Sequence, residues 1–66
     1  MKTFGEILKE KREAIGWKQE ELAEEVGISR NSISLYERGV AYPNILTAAD
    51  LADVLDCTLD ELVGRD

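Results

Sequence analysis

Just past the glycine in the stretch LAEEVGISRNSISLYERG, Leu22 to Gly39, stand Ser29, Arg30 and Asn31, three side chains rich in hydrogen-bond donors. Upstream, Gln19 falls where a helix should begin, and an amide beside the open N–H groups of a helix start makes an anion-binding corner. The chemistry on offer is the holding of negative charge, on a chain whose own formal net charge is -6. Bond-making chemistry has little to work with. The chain has no histidine, which removes both the commonest general base and the commonest metal ligand. With one cysteine and no histidine, no cluster has zinc-type ligand spacing. No D-x-[DN]-x-[DN]-G calcium loop and no glycine-rich phosphate cradle occurs. No enzyme, metal site, cofactor or small-molecule substrate is expected.

The elements that position these residues follow from punctuation. With 66 residues, 44% of them hydrophobic and 33% charged, the chain fits one small globular domain, residues 1–66. No apolar run reaches the length of a membrane span, and MKTFGEILKE lacks the apolar core of a secretion signal. Cys57 fits a reducing cytosol, as a small apolar core residue. Thr3 with Glu6 matches a capping box, so a first helix runs from about Phe4 to Ile15, with Phe4, Ile7, Leu8 and Ile15 as its apolar stripe. A second spans Gln19 to Val26, with Leu22, Ala23 and Val26 inward and Gly27 as a left-handed stop. Ser29 caps a third, Arg30 to Glu37, in which Ile33 and Tyr36 share a face with Ile28. Asn44 caps a fourth that turns Ile45, Ala48, Leu51, Ala52 and Leu55 inward. Thr58 and Glu61 box a short fifth carrying Leu59, Leu62 and Val63. Nothing alternates with the period of a strand. The fold class is all-α, a compact bundle of five short helices.

Two short helices joined by a few residues that include a glycine make a helix-turn-helix, here over about residues 19–38. A steep crossing needs a small residue where the backbones meet, and Ala23 sits four before Gly27. Ile33, six after Gly27, faces back into the corner with Leu22, Val26, Ile28 and Tyr36. Two ordinary packed helices with a glycine turn would be the plainer reading.

The stretch KQEELAEEVGISRNSISLYERG, with REAIGWKQ before it and YPN and LADVLDCTLDELVG after, resembles the helix-turn-helix of the phage-repressor and Cro-type (XRE-like) regulators. The resemblance spans nearly the whole chain. It implies a lambda-repressor-like five-helix domain that binds double-stranded operator DNA in the major groove, as a homodimer. It also implies a bacterial or phage-type cytoplasmic location, nucleoid-associated when bound. By that likeness Gln19 contacts a phosphate, and Ser29, Arg30 and Asn31 reach base edges from the start of the recognition helix. Arg suits guanine and Asn suits adenine, each bidentate contact contributing about 1–3 kcal/mol of discrimination. Ser34, one turn on, meets a base or a phosphate, and Arg38 clamps a phosphate. Gly39, as a left-handed cap, presents the N–H groups of the next loop to DNA. Arg12 and Glu37 match a partly buried ion pair between the first and third helices.

Some positions depart from the family pattern. Lys18 stands where relatives have a capping Thr or Ser; it accepts no hydrogen bond but brings an ammonium near a phosphate. Leu35 replaces a long polar residue, and either meets a thymine methyl or packs at the core edge. Val40 and Ala41 replace basic residues, which implies modest affinity. Leu46 is an exposed leucine at a usually polar position, a mark of a partner surface. The acids are unevenly spread: residues 45–66 balance to -5 and residues 20–26 to -4, whereas residues 1–19 balance to +2 and 27–44 to +1. The reading is a sequence-specific regulator, a repressor of minimal Cro-like form. A protein-interaction adaptor or antitoxin-like module using the acidic fourth and fifth helices is the alternative.

Overall fold

The structure, a computed structural model, describes residues 2–64; Arg65 and Asp66, counted in the C-terminal charge balance, lie outside the described residues. Five helices follow in order: α1 Phe4–Ile15, α2 Gln19–Val26, α3 Arg30–Glu37, α4 Ile45–Val54 and α5 Leu59–Leu62. None of the described helices is long and apolar enough to cross a membrane. The caps are side-chain chemistry. Thr3 and Thr58 each accept the N–H of the glutamate three residues on, and that glutamate reaches back to the cap N–H at 2.8 and 2.9 Å. Ser29 and Asn44 accept the N–H groups of Ser32 and Thr47.

Each helix sends one large side chain fully into the core: Leu8, Leu22, Ile33, Leu51 and Leu62. Ala23, Ala52 and Leu55 complete the buried cluster, with Phe4, Ile7, Trp17, Val26, Ile28, Tyr36, Val54 and Cys57 packed against it. A bundle this small buries its apolar surface only because every helix contributes an anchor. Burial also pushes the Cys57 thiol pKa up, away from the thiolate.

Three expected inward residues are not inward. Ile15 is 45% exposed, because the buried position at that end of α1 belongs to Arg12. Ile45 is 66% exposed: the inward face of α4 is Ala48, Leu51, Ala52 and Leu55, and Ile45 extends that stripe one turn past the core. Val63, just after α5, is 42% exposed. Two backbone features carry little sequence signal. A Cβ on buried Gly5 would lie 2.5 and 2.6 Å from the carbonyl oxygens of Glu37 and Tyr36, so this glycine sets how closely α1 meets the end of α3. Asp56, after α4, takes a left-handed φ of 55°, which aspartate tolerates better than most residues.

Candidate nucleic-acid interface

α2 and α3 meet through the turn Gly27–Ile28–Ser29. Gly27 has a φ of 84°, and the N–H groups of Gly27 and Ile28 both donate to the Ala23 carbonyl at 2.8 and 3.0 Å. That closed turn is what a left-handed glycine permits. Ala23, 3% exposed, leaves room for the close contact between the two helices.

The orientation of α3 is held from below by one polar cluster. Arg12 Nε donates to Glu37 Oε2 at 2.6 Å and Nη2 donates to Oε1 at 3.1 Å, a two-pronged pair between α1 and α3. Arg12 Nη1 donates to the Trp17 carbonyl at 2.7 Å, which ties in the α1–α2 turn. Gln19 Nε2 donates to Glu37 Oε1 at 3.0 Å, which ties in the start of α2. The side chains of the pair are 9% and 3% exposed. Glu37's hydrogen bond raises the Arg12 pKa against the opposing effect of burial, so the guanidinium stays charged. Among the described residues, no buried side-chain polar atom lacks a partner. The role of Gln19 as a tether was not legible in the sequence, since its acceptor lies eighteen residues away.

Above this cluster the candidate contact residues fall into two groups. Lys18, Gln19 and Arg30 line one shallow cleft with Arg12 and Glu20, so the start of α2 and the start of α3 share a basic hollow. Lys18 makes no side-chain cap; its N–H donates to Glu21 Oε1 at 2.8 Å, while the first N–H groups of α2 receive no acceptor from it. Gln19 spends one amide hydrogen on Glu37 and keeps the other. Arg30 and Asn31 are exposed on the first turn of α3. Ser29 is exposed too, but its oxygen is already used as the cap and lies 3.0 Å from Ser32 Oγ. The second group lies along α3. Ser34 Oγ accepts from Arg38 Nε at 3.3 Å, which leaves the Arg38 Nη groups outward. Leu35 is half-buried and is not among the side chains packed against the core.

The loop after α3 overturns one expectation. Gly39 has a left-handed φ of 76°, but the N–H groups of Gly39, Val40 and Ala41 turn back to the carbonyls of Tyr36 and Leu35. They close the end of α3 and are not presented outward, because an open helix end must satisfy its last carbonyls.

The profile of the Helix-turn-helix family matches residues 8–62. The chain belongs to this family. Its relatives include the cryptic phage CTXphi transcriptional repressor RstR of Vibrio cholerae, 40% identical over 60 residues, covering 91% of this chain and 54% of RstR. The HTH-type transcriptional regulator ImmR of Bacillus subtilis is 36% identical over 64 residues, covering 97% of this chain and 50% of ImmR. The chain thus spans about half the length of the curated relatives it matches. Among solved structures, the P22 c2 repressor in complex with a synthetic operator superposes with a TM-score of 0.94 at 30% identity, over 100% of both chains. The restriction-modification controller protein C.AhdI of Aeromonas hydrophila superposes with 0.85 at 37% identity, over 89% of this chain and 86% of that one. The five-helix repressor-type fold expected from the sequence is therefore present, and the resemblance to phage repressors holds.

Proposed function

We propose that this chain is the DNA-reading domain of a transcriptional regulator, a repressor, that lays the start of α3 in the major groove of an operator. One observation carries the reading: the basic cleft shared by Lys18, Gln19 and Arg30 lies at the joint N-termini of α2 and α3, on a helix pair locked by Arg12 and Glu37. Arg30 and Asn31 are the base readers, with donor patterns suited to guanine and adenine. Lys18, the free amide hydrogen of Gln19 and the uncapped first turn of α2 receive a phosphate, which takes the place of the missing cap. Ser29 stands at the cap, Ser34 and Leu35 lie one turn on from Arg30 and Asn31 respectively, and Arg38 takes a second phosphate. The P22 c2 repressor superposes in an operator complex, and RstR and ImmR are named as transcriptional regulators, which supports this reading over an adaptor or an enzyme. The domain acts as a twofold pair on the DNA, inside the cell.

Selection of binding sites from a random duplex library tests the reading. A twofold-symmetric site is enriched by the native chain and lost by Arg30→Ala and Asn31→Ala, both of which keep native circular dichroism. Absence of any enriched site at low salt refutes it.

A further inference from the structure

The outward face of α3 has two halves of different chemistry. On the first turn Arg30 and Asn31 offer donors, and one turn on Ser34 Oγ accepts from Arg38 Nε. Leu35 stands beside them with a side chain that neither donates nor accepts. From Asn31 to Tyr36 the helix carries no charge, and the carboxylate of Glu37 is turned inward onto Arg12. Val40 and Ala41, next along the chain after Gly39, bring no charge to that end either.

Helical period fixes where Leu35 points. Ile33 is fully buried and the Glu37 side chain is 3% exposed, so positions 33 and 37 mark the inner side of α3. Leu35 is two residues from each, a rotation of about 200°, which turns it away from that side. Asn31, four residues earlier, does share its face. A helical side chain leans over the turn before it, so Leu35 covers surface next to Asn31. The side chain is half-buried, yet it is not one of those packed against the core. Its main chain is fixed, because the Leu35 carbonyl accepts the N–H groups of Val40 and Ala41 at 3.0 and 3.4 Å.

We infer that Leu35 reads the 5-methyl group of a pyrimidine, beside the base that Asn31 reads. The inference rests on the DNA-binding reading above and names what the second turn of α3 recognises. Chemistry selects the ligand. Phosphate oxygens, the purine N7 atoms and the amino and keto groups of the bases all call for a hydrogen bond, which leucine cannot make. A leucine pressed against any of them leaves that group unsatisfied, which is a penalty and not a contact. The thymine methyl is the apolar group on the major-groove edges of the bases. Cytosine carries a hydrogen at the same ring position, so 5-methylcytosine presents the same methyl in the same place.

Burial of one methyl sets the size of the effect. Taking a group of that size out of water changes affinity about fourfold. A bidentate contact discriminates by more than that, so Arg30 and Asn31 define the site and Leu35 tunes one position within it.

Site selection with the native chain and with Leu35→Ala locates the position. Leu35→Ala keeps the native melting temperature, as befits an outward side chain. It lets one thymine in each half-site vary, while the bases read by Arg30 and Asn31 stay. On the native consensus duplex, deoxyuridine in place of that thymine lowers native affinity about fourfold per half-site and leaves Leu35→Ala affinity unchanged. With cytosine at that position, 5-methylation raises native affinity by the same factor and again leaves Leu35→Ala unchanged. Deoxyuridine keeps the pairing and every hydrogen-bonding atom of thymine, so a purely structural role for Leu35 does not move this ratio. A native chain that binds thymine and deoxyuridine duplexes equally at every thymine of the site overturns the inference and leaves the DNA reading standing. So does a Leu35→Ala chain that keeps the native preference for thymine. A Leu35→Ala chain that melts far below native with unchanged base preference overturns it too, since Leu35 is then a packing residue. If no site is enriched even at low salt, the DNA reading falls and the inference falls with it.

Discussion

The bond between Arg12 and Glu37 offers the sharpest test of how α3 is held. Arg12→Ala leaves a carboxylate whose side chain is 3% exposed, with only the Gln19 amide still donating to it. Removing one partner of a buried pair costs about 3–5 kcal/mol, because the remaining charge is left without its compensation. At roughly 0.05–0.15 kcal/mol per residue, a chain of this length has about 3–10 kcal/mol in total. The loss thus takes a large share of the stability, and at about 4–8 °C per kcal/mol it lowers the melting temperature by at least about 12 °C. Urea titration followed by circular dichroism reads the same loss as a lower midpoint with an unchanged slope. The double variant Arg12→Met, Glu37→Leu removes both charges and recovers most of the stability, since apolar replacement of a whole buried pair is often neutral or better. An Arg12→Ala chain that loses less than about 1 kcal/mol refutes the reasoning. A double variant whose loss equals the sum of the two single losses also refutes it, because the contribution would then be packing of the two stems rather than their charges.

Further outcomes follow from the caps and the close contacts. Gly5→Ala sets a Cβ against the Glu37 and Tyr36 carbonyls and destabilises the chain by about 1–3 kcal/mol, the usual cost of overpacking, read by thermal melting. Lys18→Ser supplies the cap that α2 lacks, which raises stability by about 1 kcal/mol and, by removing an ammonium from a phosphate, lowers the salt slope of DNA binding by about one. The backbone hydrogen bonds at Thr3 and Thr58 hold the Glu6 and Glu61 carboxyls below their ordinary pKa. Their contribution is therefore present above the ordinary glutamate value of about 4.3 and is lost as pH falls through the lowered folded values. Acid titration of the melting temperature shows this fall, and it is shallower in the Glu6→Gln, Glu61→Gln chain, which lacks the titrating carboxyls.

Local chemistry made much of this protein legible before any fold was in hand. The capping residues Thr3, Ser29, Asn44 and Thr58 and the stop at Gly27 act over three or four neighbours, so each helix boundary is written in adjacent residues. The helix-turn-helix follows from the same short range, and Arg30 and Asn31 could be singled out because they sit on the first turn of a helix with a visible cap. Other features depend on partners far along the chain. Gln19 reaches Glu37, and Gly5 meets the carbonyls at the end of α3. Ile45 and Ile15 continue apolar stripes that look inward by period, and only packing shows where the core stops. The N–H groups after Gly39 looked free because a lone turn does not say which carbonyl it closes. Sequence by itself determined where the helices are and which end of α3 carries the donors, because caps and turns are local equilibria. Tertiary structure alone decided how α3 is anchored and that Ile15 and Ile45 are left in water, because burial is a property of the whole packed chain.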